Sequence, residues 1–97
     1  MMNAQLVLRR RDVFEDGSFT EMTVWRVPKP VPPSEHRFKY SLVYIVEGKR
    51  VLGYDNERGK GDHRHIGDVE RPLHFETMAD LVDRFVAEVQ QMRGDRK

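Results

Sequence analysis

A chain of 97 residues holds one small domain, since domains cluster near ~100–150 residues and barrels or doubly wound nucleotide folds need more chain. The lack of cysteine excludes disulfides, zinc ribbons and thiol nucleophiles, and no apolar run approaches the ~20 residues of a membrane span. The 17 basic and 16 acidic residues nearly cancel, which argues against a polycationic nucleic-acid binder unless the charges are segregated along the chain.

Residues 1–27 read as an N-terminal hairpin. A strand over 4–14 leads into Glu15-Asp16-Gly17-Ser18, and Asp-Gly is a strong hairpin signal because glycine tolerates positive φ. The return strand over 19–27 puts Thr23, Trp25 and Val27 on one face, with Trp25 as the expected core anchor. Arg9, Arg10 and Arg11 read as a solvated strand end, with a phosphate clamp as the alternative. Four prolines then make residues 28–36 an extended connector, because proline cannot donate to a ladder.

Residues 37–54 read as a second hairpin. Phe38, Tyr40, Leu42, Tyr44 and Val46 alternate along one face, the period of a strand packed on a core. Glu47-Gly48-Lys49 turns the chain, and Val51 and Leu52 return it. Residues 55–68 are polar, glycine-studded and aperiodic, and read as a loop with a short extended stretch at 63–66. Met78, Leu81, Val82, Phe85, Val86, Val89 and Met92 form a single stripe of helical period over 77–93. Thr77 is the expected N-cap, Gly94 the expected stop, and residues 93–97 an expected frayed end. The sum is an α+β domain: two antiparallel β-hairpins forming a small sheet, followed by one C-terminal amphipathic helix packed on it.

Divided by region, the charge is not neutral. Residues 36–67 carry seven basic side chains against four acidic, while residues 68–88 carry six acidic against two basic. The acidic helix reads as a solvated face whose acids suit a helix N-terminus. The basic half coincides with the loop Tyr54-Asp55-Asn56-Glu57-Arg58-Gly59-Lys60-Gly61-Asp62-His63-Arg64-His65. Gly59 and Gly61 flank Lys60 as in loops whose N–H groups hold anions, yet the spacing fits neither a Walker loop nor an EF-hand. Asp55 and Asn56 fit turn chemistry at a strand end.

His63 and His65 are the candidate chemistry. In an extended stretch both imidazoles point to one face, roughly 7 Å apart at the backbone. One neutral imidazole can then take a proton from a ribose 2′-hydroxyl while the other, protonated, supplies the leaving oxygen. Lys60 and Arg64, with Arg58 and the Gly59 and Gly61 backbone, are the expected phosphate contacts, and Asp55 or Asp62 the orienter. Two alternatives stay open: a divalent metal held by both imidazoles and Asp55 or Asp62, or a polar edge strand whose rings only hydrogen-bond their neighbours. His36 and His74, Tyr40 and Tyr44 read as structural.

The runs Tyr54-Asp55-Asn56-Glu57 and Gly59-Lys60-Gly61-Asp62-His63-Arg64-His65, with the preceding 44–48 segment and the following helix, resemble the TumE family of small prokaryotic toxin–antitoxin proteins. The resemblance covers roughly residues 36–92. It implies a cytoplasmic toxin with a cognate antitoxin of helix-turn-helix type and RNA as its target, and it assigns no catalytic residue. The leading expectation is therefore a metal-independent ribonuclease that needs no cofactor. A non-catalytic binding module and a metal-dependent hydrolase are the alternatives, and a homodimer built on sheet edges is open.

Overall fold

The computed structural model describes residues 3–95. Six strands follow one another: β1 (Gln5–Val13), β2 (Phe19–Arg26), β3 (Phe38–Val46), β4 (Lys49–Glu57), β5 (Gly61–Ile66) and β6 (Val69–Pro72), then α1 (Met78–Asp95). They form one sheet in the order β1-β2-β3-β4-β5-β6, every neighbouring pair antiparallel. The α+β class with one helix on one sheet face is thus as expected. The sheet is larger than two hairpins because residues 55–68 are not a loop. β4 runs on to Glu57, a tight turn with Gly59 at φ 87° and Gly61 at φ 77° reverses the chain, and β5 and β6 complete a further meander. Only glycine enters that backbone region without steric cost.

Strand alternation divides the sheet into two unlike faces. One carries Met22, Val24, Tyr40, Leu42, Tyr44, Leu52 and Tyr54, all buried beneath Leu81, Phe85 and Val89 of α1 and beside Leu73. The Tyr54 ring meets Phe85 edge-on at 5.3 Å, and each large side chain so buried contributes about 1.5–3 kcal/mol. The other face has no helix over it. Trp25 lies there, half-buried opposite Lys39, so Met22 and Val24 anchor the first hairpin in its place. Parity explains the change: odd-numbered positions of β2 point away from the helix.

Thr77 caps α1 as expected, its hydroxyl accepting from the Asp80 N–H at 3.1 Å. The helix does not stop at Gly94 but continues to Asp95. In its last turn the Arg93 guanidinium lies 3.8 Å over the Phe14 ring and donates to the Ser18 hydroxyl at 3.0 Å. Arg96 and Lys97 lie outside the described residues. The connector also has a fixed position, since the Pro32 carbonyl accepts from the Gly59 N–H at 2.8 Å and so ties it to the β4–β5 turn.

Candidate functional site

The register of β4, β5 and β6 assembles four side chains on the face away from the helix. Asp55 stands opposite His63, Gly53 opposite His65, and His65 opposite Glu70. The two imidazole rings are 5.0 Å apart. Asp55 Oδ1 lies 3.2 Å from His65 Nε2 and 3.5 Å from His63 Nε2, and Glu70 Oε1 lies 2.9 Å from His63 Nε2.

The two histidines differ in access. His63 is 3% exposed, while His65 is half-buried, with 13% of its side-chain surface exposed. The Gly61 carbonyl lies 2.7 Å from His63 Nδ1 and accepts only if that nitrogen carries the proton. His63 Nε2 then lies beside two carboxylates, neither aligned for a hydrogen bond, and it has no hydrogen-bond partner among the described residues. Asp55, His63 and His65 bring one ligand atom each within 4.8 Å of one another, a donor set able to hold a cation.

Asp62 and Arg64 share β5 with the histidines but project from the opposite face. Asp62 accepts from Ser34 Oγ, from Tyr40 OH at 2.6 Å and from His36 Nε2 at 2.7 Å. The Phe38 N–H donates to His36 Nδ1 at 3.2 Å, which leaves Nε2 as the protonated nitrogen facing Asp62. The His36 ring stacks on Phe75 at 3.7 Å. Burial, and then the hydrogen bond to Asp62, push the Tyr40 hydroxyl far above its ordinary pKa, so it remains a donor. Asn56, fully buried, belongs to the same layer: its side chain accepts from the Tyr40 N–H at 3.0 Å and donates to the Phe38 carbonyl at 2.7 Å. It satisfies β3 rather than a turn.

Arg64 forms a two-pronged ion pair with Glu88 of α1, which also accepts from the Tyr54 hydroxyl. Burial opposes ionisation of Glu88 most strongly, but the Arg64 and Tyr54 hydrogen bonds outweigh it and hold its pKa below the ordinary value. Burial and Glu88 together raise the Tyr54 hydroxyl to about 12. Asp62 and Arg64 are thereby separated from the histidine pair that their sequence neighbourhood suggested they serve.

Lys60 stays near the histidines, exposed at the β4–β5 turn with Nζ 3.8 Å from Glu70 Oε1. Arg58 is exposed on the same turn. The turn backbone is not a free anion cradle, because the Gly59 N–H donates to Pro32 and the Lys60 N–H to the Glu57 carbonyl at 3.0 Å. Gly61 meets the connector, where an added Cβ would come 3.0 Å from Pro33 Cγ.

Three residues not anticipated from sequence join this face. Glu70 arrives through β6, and Lys39, whose ammonium donates to the Asn56 carbonyl, neighbours Trp25. Arg50 folds over Gly53, the strand partner of His65, so closely that a Cβ there would lie 3.0 Å from Arg50 Cδ. The row Arg9–Thr23–Ser41–Asp55–His63 runs unbroken across five strands, with Arg11–Glu21–Val43–Gly53–His65 beside it. A two-residue turn at Gly67-Asp68 pairs Ile66 with Val69 and so sets Glu70 opposite His65, a register the Gly67 signal could have suggested, but nothing local marks Arg50. A groove of about 550 Å³ lies elsewhere, between the first hairpin and α1, and is lined by Val13, Phe14, Met22, Val82, Val86 and Val89 among others. It holds no histidine.

A family model described as Toxin TumE matches residues 3–93. Comparison with curated proteins and with solved structures finds no match.

Proposed function

From the premise that this chain belongs to the TumE toxin family, and so is the toxin component of a toxin–antitoxin pair, we propose that it acts on RNA as a ribonuclease whose centre is the cluster of Asp55, His63 and His65. The observation that carries this reading is the meeting of two imidazoles, 5.0 Å apart, with a carboxylate on the uncovered sheet face. Backbone phosphate on that face has cationic contacts along the rows leading to the cluster. Arg9 and Arg11 lie at the β1 end, Arg50 lies over Gly53, and Lys60 and Arg58 lie at the turn. A half-buried Trp25 on the same face offers a surface on which a base can stack.

The histidines have unequal parts in this reading. His65, hydrogen-bonded to Asp55 and the more exposed of the two, is the imidazole within reach of substrate. His63 lies behind it and fixes the cluster. Arg64, bound to Glu88, and Asp62, bound to His36 and Tyr40, are positioning residues of the helix side. Membership of the family also brings an antitoxin partner.

The test is cleavage of cellular RNA by the full chain freed of antitoxin. Wild type and His74→Ala, whose imidazole is 78% exposed beside Glu76, are expected to cut, and Asp55→Asn and His65→Ala to leave RNA intact. Equal cutting by all four overturns the assignment. Intact RNA with wild type, together with binding that falls steeply with salt, selects the alternative of a toxin that grips RNA without cutting it.

A further inference from the structure

We infer that Asp55, His63, His65 and Glu70 form a binding site for one divalent first-row transition-metal ion of the zinc class. The inference rests on the same cluster as the ribonuclease reading and supplies it with a cofactor, in place of the metal-independent acid–base pair expected from sequence.

The first argument is an electrostatic mismatch. His63 is 97% withdrawn from solvent, being 3% exposed, and its Nδ1 is committed as a donor to Gly61. In the neutral ring Nε2 is therefore a bare lone pair, with Asp55 Oδ1 at 3.5 Å and Glu70 Oε1 at 2.9 Å beside it. Three electron-rich atoms facing one another in a half-buried site call for a cation between them. No hydrogen bond fulfils that part at His63 Nε2.

The second argument is metric. A metal bound at ~2.0–2.2 Å by nitrogen and oxygen places tetrahedral ligands about 3.3–3.6 Å apart. The contacts of Asp55 Oδ1 to the two Nε2 atoms are 3.2 and 3.5 Å, and Glu70 to His63 is slightly shorter at 2.9 Å. Asp55, His63 and His65 already hold their ligand atoms within 4.8 Å of one another, and Glu70, exposed on β6, swings inwards from His63 to complete the set. The third argument is the outer shell. A metal-ligating imidazole characteristically donates its other N–H to a carbonyl or carboxylate, which fixes tautomer and ring plane, and His63 does this with Gly61 at 2.7 Å. Two imidazoles with carboxylates favour zinc, iron, cobalt or nickel over magnesium, which prefers oxygen and water. Because the site opens on the uncovered face, a coordination position remains reachable from solvent, as in catalytic rather than closed structural sites.

The test uses tag-free full-length chain stripped with a chelator and dialysed, then titrated with Zn²⁺ by calorimetry and with Co²⁺ by visible absorption. The expected result is one ion per chain and a cobalt d–d band of four-coordinate character. Even outer-shell partners are worth ~10–100-fold in affinity, so Asp55→Asn and His65→Gln are expected to weaken binding by about 100-fold or more, with His74→Ala unchanged. His63→Gln lies in the interior and needs its fold checked by circular dichroism, whereas His65 and Glu70 sit near the surface and keep the test valid if it unfolds. Absence of saturable binding, or binding that survives His65→Gln together with Glu70→Gln, overturns the metal site. RNA cutting by stripped protein in chelator overturns the ion's part as cofactor while leaving the ribonuclease reading standing. A bound ion without RNA cutting supports the site and removes that reading.

Discussion

Arg50 lies across Gly53, and the absence of a side chain on Gly53 is what lets it do so: a Cβ there would stand 3.0 Å from Arg50 Cδ. Gly53 is also the strand partner of His65, so the contact brings a guanidinium to the edge of the histidine cluster. A glycine inside a strand often marks such a close approach.

Gly53→Ala therefore separates the contact from the fold. Arg50 is exposed and can yield, and the alanine reduces the freedom of the unfolded chain, so thermal stability is expected to stay level or rise by less than ~1 kcal/mol. RNA affinity is expected to fall as Arg50 leaves the face, to the level of Arg50→Ala. Melting curves and binding isotherms on the two variants check it, and unchanged affinity in both removes Arg50 from the RNA contact.

Asp55 and Asp62 are predicted to part company. Asp55→Asn should keep the melting temperature near wild type and lose RNA cleavage. Asp62→Asn disturbs a buried network with Ser34, His36 and Tyr40, so it should destabilise by about 2–4 kcal/mol while the folded fraction still cuts RNA. Denaturant titration combined with cleavage per folded molecule reads both numbers, and the reverse pattern would exchange their roles.

Asn56→Ala is expected to cost about 2–4 kcal/mol, because it leaves the Tyr40 N–H and the Phe38 carbonyl without the partners they have at 3.0 and 2.7 Å in a fully buried site. Asn56→Asp should not rescue it, since a carboxylate cannot donate to the carbonyl. Chemical denaturation of the pair gives the comparison.

The Glu88 pKa is depressed in the folded chain below the ordinary glutamate value by its hydrogen bonds to Arg64 and Tyr54, which outweigh burial. Its contribution to stability is therefore complete above that value and is lost as pH falls through and below it. Glu88→Gln should flatten the acid limb of the stability profile. At neutral pH it should cost about 1–3 kcal/mol, reduced from the fully buried case because Arg64 and Glu88 keep 27% and 19% of their side-chain surface exposed. Stability measured from pH 7 down to pH 3 on both proteins tests the slope, and identical acid limbs would remove Glu88 from the linkage.

Much of this protein is written locally. The alternation from Phe38 to Val46 and the stripe from Met78 to Met92 name the core because burial selects residues with the period of the element that carries them. The Asp16-Gly17 turn follows from glycine's backbone freedom. The β5–β6 hairpin was illegible for the same reason in reverse: its strands carry Asp62, Arg64 and Arg71 on one face and His63, His65 and Glu70 on the other, so no apolar alternation marks them.

Sequence by itself determined the α+β class, the helix, the tyrosine-rich core and the placing of both histidines on one face. Tertiary structure decided which neighbours those histidines have. Side chains one residue apart in a strand leave from opposite faces, so pairing register, not proximity in the chain, joined His63 and His65 to Asp55 and Glu70 and sent Asp62 and Arg64 to the helix side. The basic half inferred from regional charge is likewise divided by the sheet. Arg64 neutralises Glu88 beneath the helix, while Arg50 and Lys60 remain with the histidines, because a charge is placed by the face its strand turns towards water.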